Sequence, residues 1–198
     1  MKKKILLVTV ALALVLVIAC LAACGDNNGV FNKINKLLEV NYSKVKINVT
    51  TDMNGVELNG EYVLTFGEGV TNVKFSYEEL NGLSFEGDNG GFKNTVSGTA
   101  VVQNGVVISD SQEADLNTAH LDFTGLSFKQ AYFKNVTSTS NEFEADVTSP
   151  KGFIGNSQFD ATNMHVKVVY TSSAIVQIVM TYVSAGGAEV SVTYVFSA

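Results

Sequence analysis

Cysteine is almost missing from this chain of 198 residues: the two present, Cys20 and Cys24, both fall within the first 24 positions. No internal disulfide can brace the other 174 positions, so that part of the chain must be held together by its core. Arginine and tryptophan are absent and asparagine is frequent, which reads as compositional bias rather than chemistry. Positive charge is scarce as well. Residues 1–23 carry three of the 13 basic residues, leaving ten lysines against 19 acidic groups and a net charge near −9. Such a surface disfavours nucleic acid, whose binding rests on neutralising phosphates, and adsorption to anionic lipid headgroups.

Charge is missing altogether from Ile5 to Ala23, directly behind Lys2, Lys3 and Lys4. A basic segment followed by an apolar run is the layout of an export signal. A membrane-spanning helix competes, since about 20 apolar residues cross a bilayer, but the run stops at Leu21-Ala22-Ala23-Cys24-Gly25. That ending resembles the lipobox of bacterial lipoproteins. The resemblance implies removal of residues 1–23 and a diacylglyceryl group on Cys24, anchoring the chain to the outer face of the cytoplasmic membrane. Val17-Ile18-Ala19-Cys20 is a second, poorer match. Cys24 is preferred because two alanines precede it and turn-forming residues, Asp26 to Gly29, come directly after. Two acyl chains hold a protein stably on a bilayer, and residues 24–30 form a tether reaching only about 13 Å.

Residues 31–198 read as one domain, large enough to bury about 70% of the surface exposed by its unfolded chain. Phe31, Ile34, Leu37 and Leu38 recur at helical spacing over Phe31–Val40. Beyond them the period becomes two. Val45, Ile47 and Val49 alternate with polar residues, as do Leu58 to Phe66 and Val73 to Tyr77, the mark of half-buried antiparallel strands. Met53-Asn54-Gly55 and Gly67-Glu68-Gly69 supply turns. A glycine-rich break at 87–91 precedes a strand through Val96 and Val102, and Asn104-Gly105 turns it back through Val106 to Ile108. Residues 109–118 read as a polar loop or flap. Further strands are expected at Tyr132–Thr137, Phe143–Val147, Met164–Tyr170, Ile175–Val183 and Val190–Phe196, the last with Val190, Val192, Tyr194 and Phe196 inward and Gly186-Gly187 as its preceding turn. Ser149-Pro150 with Gly155 marks one helical turn, the serine as its cap. The opening and closing blocks share a helix-then-meander pattern, which raises an internal duplication.

The expected fold is therefore α+β and mostly antiparallel: a curved, half-barrel-like meander with a short N-terminal helix and one helical turn. With the lipobox and the helix at Phe31–Val40, this arrangement resembles the half-barrel lipoproteins of the LolA/LppX type. The resemblance implies a curved sheet around an apolar cavity for lipid, and it transfers no binding residue.

No constellation for catalysis stands out, and no cofactor, metal site or catalytic residue is expected. His165 is read as a solvated residue on the polar face of its strand. His120, beside Asp122 and downstream of Asp115, is the better proton-transfer pair, though such i, i+2 pairs arise often by chance. No strained Gly-x-Ser-x-Gly turn or phosphate loop occurs. Asp88-Asn89-Gly90 and Asp26 to Gly29 lack the glutamate that closes a calcium loop. Glu78-Glu79 and Glu142, Glu144 and Asp146 face solvent by alternation and solubilise strand edges. Apolar bulk remains. Val63, Val169, Val176, Ile178 and Val195 suggest apolar residues on a second face. Tyr62, Leu64, Phe66, Phe75 and Tyr77 on neighbouring strands are the candidate lining for a lipid or other apolar ligand. The expected function is non-enzymatic, a membrane-held binder of such a ligand. The alternative is a cell-envelope structural or interaction module that presents sheet edges to a protein partner.

Overall fold

The computed structural model of the chain describes residues 28–67, 69–81, 92–103, 106–111 and 123–197. The leader, Cys20, Cys24, the breaks at 87–91 and 104–105, Asp115, His120 and Asp122 lie outside the described residues. Helix α1, Asn28–Leu38, leads into β1 (Lys44–Met53), β2 (Val56–Phe66), β3 (Thr71–Asn81), β4 (Phe92–Gln103) and β5 (Val106–Asp110). A 3-10 turn, Gln130–Tyr132, opens the second half: β6 (Phe133–Ser138), β7 (Glu142–Val147), helix α2 (Pro150–Ile154), β8 (Ala161–Tyr170), β9 (Ile175–Ser184) and β10 (Glu189–Ser197). All neighbours are antiparallel and form a single open sheet in the order β5-β4-β3-β2-β1-β10-β9-β8-β7-β6. The expected α+β class, dominated by an antiparallel sheet, is the observed one.

The chain thus makes two five-stranded meanders, each progressing across the sheet in the same direction, joined where β1 pairs with β10. This topology argues against an internal duplication. Strands β1, β2, β3 and β8, β9, β10 advance the same way across the sheet, but β1 and β8 stand three places apart in an alternating sheet and run in opposite directions. Seen from the same face, the two meanders have opposite hands.

Period two fixes which side faces inward. Val45 and Ile47 of β1, Val192, Tyr194 and Phe196 of β10, Ile178 and Met180 of β9, Val166 and Val168 of β8, and Phe143 and Ala145 of β7 form one continuous buried face. Leu64, Val73, Phe75 and Ala100 extend it across β2, β3 and β4. The other face carries cross-strand charge pairs, Lys46 with Glu61 at 2.7 Å and Lys167 with Glu142 at 3.4 Å.

Three departures from simple alternation have local causes. In β9 the pairing Val169↔Gln177 is followed by Tyr170↔Ile175, so Val176 is an extra residue. This bulge turns both Ile175 and Ile178 inward and leaves Val176 exposed, which removes Ile178 from the second face where its sequence position had put it. Asn135 and Asn163 take positive φ (52° each) at bulges in β6 and β8, a conformation asparagine tolerates. Other boundaries move by a few residues. The helix begins at Asn28 and ends at Leu38 rather than spanning 31–40, Tyr132 closes the 3-10 turn rather than opening a strand, and Ser109 and Asp110 complete β5 rather than starting a loop.

The turns obey residue chemistry. Asn54 and Gly55, at φ 56° and 84°, make the β1–β2 turn, with the Gly55 N–H donating to Asp52 Oδ1 at 2.8 Å. Pro150 starts α2 and Gly155, at φ 75°, stops it. A Cβ there would meet the Gly125 carbonyl oxygen at 2.7 Å. Ser149 is not a side-chain cap; its carbonyl accepts from Phe153 N at 2.9 Å instead.

Because β10 is paired on both sides, its two faces report the burial directly. Val192 is wholly buried, whereas Thr193 shares the polar face with Asn48 and Val179. Val192→Asp is expected to cost more than about 4 kcal/mol by burying an unpaired carboxylate, and Thr193→Asp about 1 kcal/mol or less. Circular-dichroism melts would check it; equal losses would mean that β10 is covered on both sides.

Candidate functional site

Among the described residues three segments lie over the buried face: α1, residues 123–132 of the connection between β5 and β6, and α2. Five phenylalanines lock them to the sheet. Phe31 of α1, Phe128 of the connection, Phe153 of α2, Phe133 of β6 and Phe143 of β7 form a network of ring contacts at centroid distances of 5.1–5.6 Å, each pair contributing about 0.5–1.5 kcal/mol beyond its area burial.

Two polar side chains set the helix in place. Asn35 Nδ2 donates to the Phe128 carbonyl at 2.8 Å and Asn35 Oδ1 accepts from the Phe128 N–H at 3.0 Å, so one carboxamide serves the connection as a neighbouring strand would. Tyr42, just past the helix, donates its hydroxyl to the Leu37 carbonyl at 2.8 Å and accepts from the Ile175 N–H at 2.8 Å. That single oxygen satisfies a carbonyl at the helix end and ties it to the start of β9. Burial pushes the Tyr42 phenol above its ordinary value, with the Ile175 N–H opposing, and the protonated donor is the form the Leu37 carbonyl requires.

Beside these clamps is a cleft of about 470 Å³. It is lined by Leu38, Val40 and Tyr42 where α1 runs on toward β1, by Phe66 at the end of β2 and by Phe123 and Leu126 of the connection, with Asn35, Glu39, Asn41 and Thr124 adding polar groups. Phe123 is the keystone. Its ring packs on Phe66 at 5.9 Å, Tyr42 at 6.4 Å and Phe196 at 5.1 Å, all three edge to face. A volume in this range with mostly apolar walls and few polar groups is what small-molecule sites provide. A second cleft of about 350 Å³ lies at the β9–β10 turn end of the sheet, where Asp52 stands opposite Glu189 beside Tyr182. Burial pushes the Tyr182 hydroxyl up to about 12.

The five aromatic and aliphatic candidates occupy one face, as expected: Tyr62 is opposite Phe75, Leu64 opposite Val73, and Phe75 stacks on Tyr77 at 6.0 Å. Leu64 and Phe75 are each only 2% exposed, Tyr62, Phe66 and Tyr77 are half-buried, and of the five Phe66 lines the larger cleft. Sequence reasoning missed Asn35, Tyr42 and Phe123. Asn35 is a polar residue beside the apolar stripe of a helix, and Phe123, Leu126 and Phe128 form an apolar spacing in a stretch without strand period.

His165 is better partnered than its sequence position suggested. Its Nδ1 lies 3.0 Å from Asp146 Oδ1 and its Nε2 3.0 Å from Glu144 Oε1, so the acidic row of β7 is engaged by β8 rather than simply solvated. Asn135 Nδ2 adds a bond to Asp146 Oδ2 at 2.7 Å. These partners, His165 foremost, hold the Asp146 carboxyl below its ordinary range. Both ring nitrogens lie within hydrogen-bond distance of carboxylates on β7, an arrangement that ties β8 to its neighbour. Among the described residues no group of three or more His, Cys, Asp or Glu is placed to hold a metal, and no helix is long and apolar enough to cross a membrane.

These contacts predict two outcomes. Asn35→Leu should cost about 2–3 kcal/mol in urea unfolding, because the peptide groups of Phe128 lose their partners in a partly buried setting. A lowered carboxyl adds stability above its unfolded value and loses it as pH falls through the folded one. Asp146→Asn should therefore lower the urea midpoint at pH 6, and the difference from the parent should vanish well below the ordinary aspartate value of about 3.9. A constant difference across that range would show that the contacts do not depend on ionisation.

Compared with models of protein families and with curated proteins, the chain matches none.

Proposed function

We propose that this chain is a non-enzymatic lipoprotein, anchored through Cys24 to the outer face of the cytoplasmic membrane, that holds a small apolar or amphiphilic molecule beside α1. The observation that carries the reading is the cleft of about 470 Å³ walled by Leu38, Val40, Tyr42, Phe66, Phe123 and Leu126. The anchor is supported by the lipobox-like ending at Cys24 and by α1 starting four positions later, which keeps the folded body near the bilayer. In this reading binding is centred on Phe66 and the connection, with Leu64 and Phe75 serving as packed floor.

A second reading, a module that engages a protein partner through a sheet edge, has one observation in its favour. Val106 and Ile108 of the edge strand β5 are 62% and 56% exposed, and β5 carries no lysine to discourage pairing. The opposite edge, β6, has Lys134 and the bulge at Asn135.

Titration of Nile red into the domain lacking Cys24 separates the readings. Saturable binding is expected, lost in Val40→Trp, which fills the cleft, with the melting temperature little changed. Phe75→Ala should cost about 3–5 kcal/mol as a core truncation. Absence of saturable binding, with self-association that Ile108→Lys abolishes, would replace the carrier with the interaction module. The anchor has its own test. Cys24→Ala should move the protein out of the membrane fraction, and retention as a cleaved lipoprotein would make Cys20 the acylated residue.

A further inference from the structure

The charge on the cleft's lining narrows what it can hold. The polar atoms deepest in it are already engaged: the Asn35 carboxamide is spent on both backbone groups of Phe128, and the Tyr42 hydroxyl on Leu37 and Ile175. What remains toward solvent is the exposed carboxylate of Glu39 beside the exposed carboxamide of Asn41. Among the described residues no lysine lines the cleft. Lys33, on the same helix, is directed elsewhere, with its Nζ at 3.3 Å from the Ser140 carbonyl and 4.4 Å from the centre of the Tyr170 ring.

We infer that the cleft beside α1 takes a single-chain amphiphile with a cationic head, its chain along the apolar lining of Leu38, Val40, Phe66, Phe123 and Leu126 and its head against Glu39. This rests on the proposed ligand-binding reading and specifies its ligand class. An anionic head, such as that of a fatty acid, would meet a carboxylate with no lysine among the described lining residues to offset it, and like charges several ångströms apart at a partly solvated site repel. The volume, near the lower end of the range for small-molecule sites, suits one chain rather than two.

The test uses the lipidated protein in phosphatidylcholine nanodiscs at low salt, photolabelled with diazirine-bearing dodecylamine or diazirine-bearing dodecanoate, with adducts mapped by mass spectrometry. The amine is expected to label residues 38–42 and 123–126 about tenfold more than the carboxylate. Glu39→Lys, a surface change away from the apolar walls, should reverse that order, and Glu39→Gln should level it. Equal labelling of the cleft by both probes, unmoved by Glu39→Lys, would overturn the cationic-head assignment while leaving the ligand site standing. Absence of cleft adducts with either probe, while peptides elsewhere are labelled, would overturn both.

Discussion

The pairing of β1 with β10 is the constraint on which the rest of the structure depends. Nine residue pairs, from Lys44↔Ser197 to Asp52↔Glu189, join the first and last strands of the chain at the middle of the sheet. Ser43 extends the seam by donating from its N–H to Ser197 O at 3.0 Å, while its own carbonyl accepts from Phe66 N at 3.2 Å. Without this seam each five-stranded meander would expose an inner edge and half of an apolar face. With it, Val45, Ile47 and Val49 stand against Phe196, Tyr194 and Val192, and the two halves share one core. The loop that the seam closes is nearly the whole domain, so the topology favours slow folding, with local hairpins formed before the seam.

A single sheet with one apolar face needs cover, and the cover here is economical. Among the described residues an eleven-residue helix, one short helix and residues 123–132 supply it, held by the phenylalanine cluster and by the two polar clamps at Asn35 and Tyr42. The clamps matter because an apolar helix face on an apolar sheet specifies contact but not position, whereas Asn35 on Phe128 and Tyr42 between Leu37 and Ile175 each admit one placement. The cleft is a consequence. It lies where α1 ends and the chain turns through Glu39 to Tyr42 into β1, beside Phe123 and Leu126 of the connection.

Much of this fold was legible in the sequence because period two is a strong signal. Val45 to Val49, Leu58 to Phe66 and Val190 to Phe196 became strands with the expected faces, and the turns at Asn54-Gly55 and Gly186-Gly187 formed where expected, with Asn54, Gly55 and Gly187 at positive φ. What was hidden depends on partners distant in sequence. The order of strands hinges on a contact between residues about 150 positions apart, which no local pattern records. The bulge at Val176 shifts the face by one residue, so Ile178 read outward, and His165 read unpartnered because its carboxylates, Glu144 and Asp146, stand on the neighbouring strand β7. The site was legible only in part. Phe66 stood among the aromatic candidates, but Phe123 and Tyr42 become lining only when residues 123–126 and the end of α1 meet over the sheet.

Native-state hydrogen exchange with increasing urea tests the seam most directly. If β1–β10 pairing makes the sheet one cooperative unit, amides of β1 and β10 exchange only through global opening, with the same free energy and the same urea dependence, and the neighbouring strands β2 and β9 behave alike. Exchange of β1 to β5 at a lower free energy, while β6 to β10 stay protected, would show two independently stable halves and contradict the account.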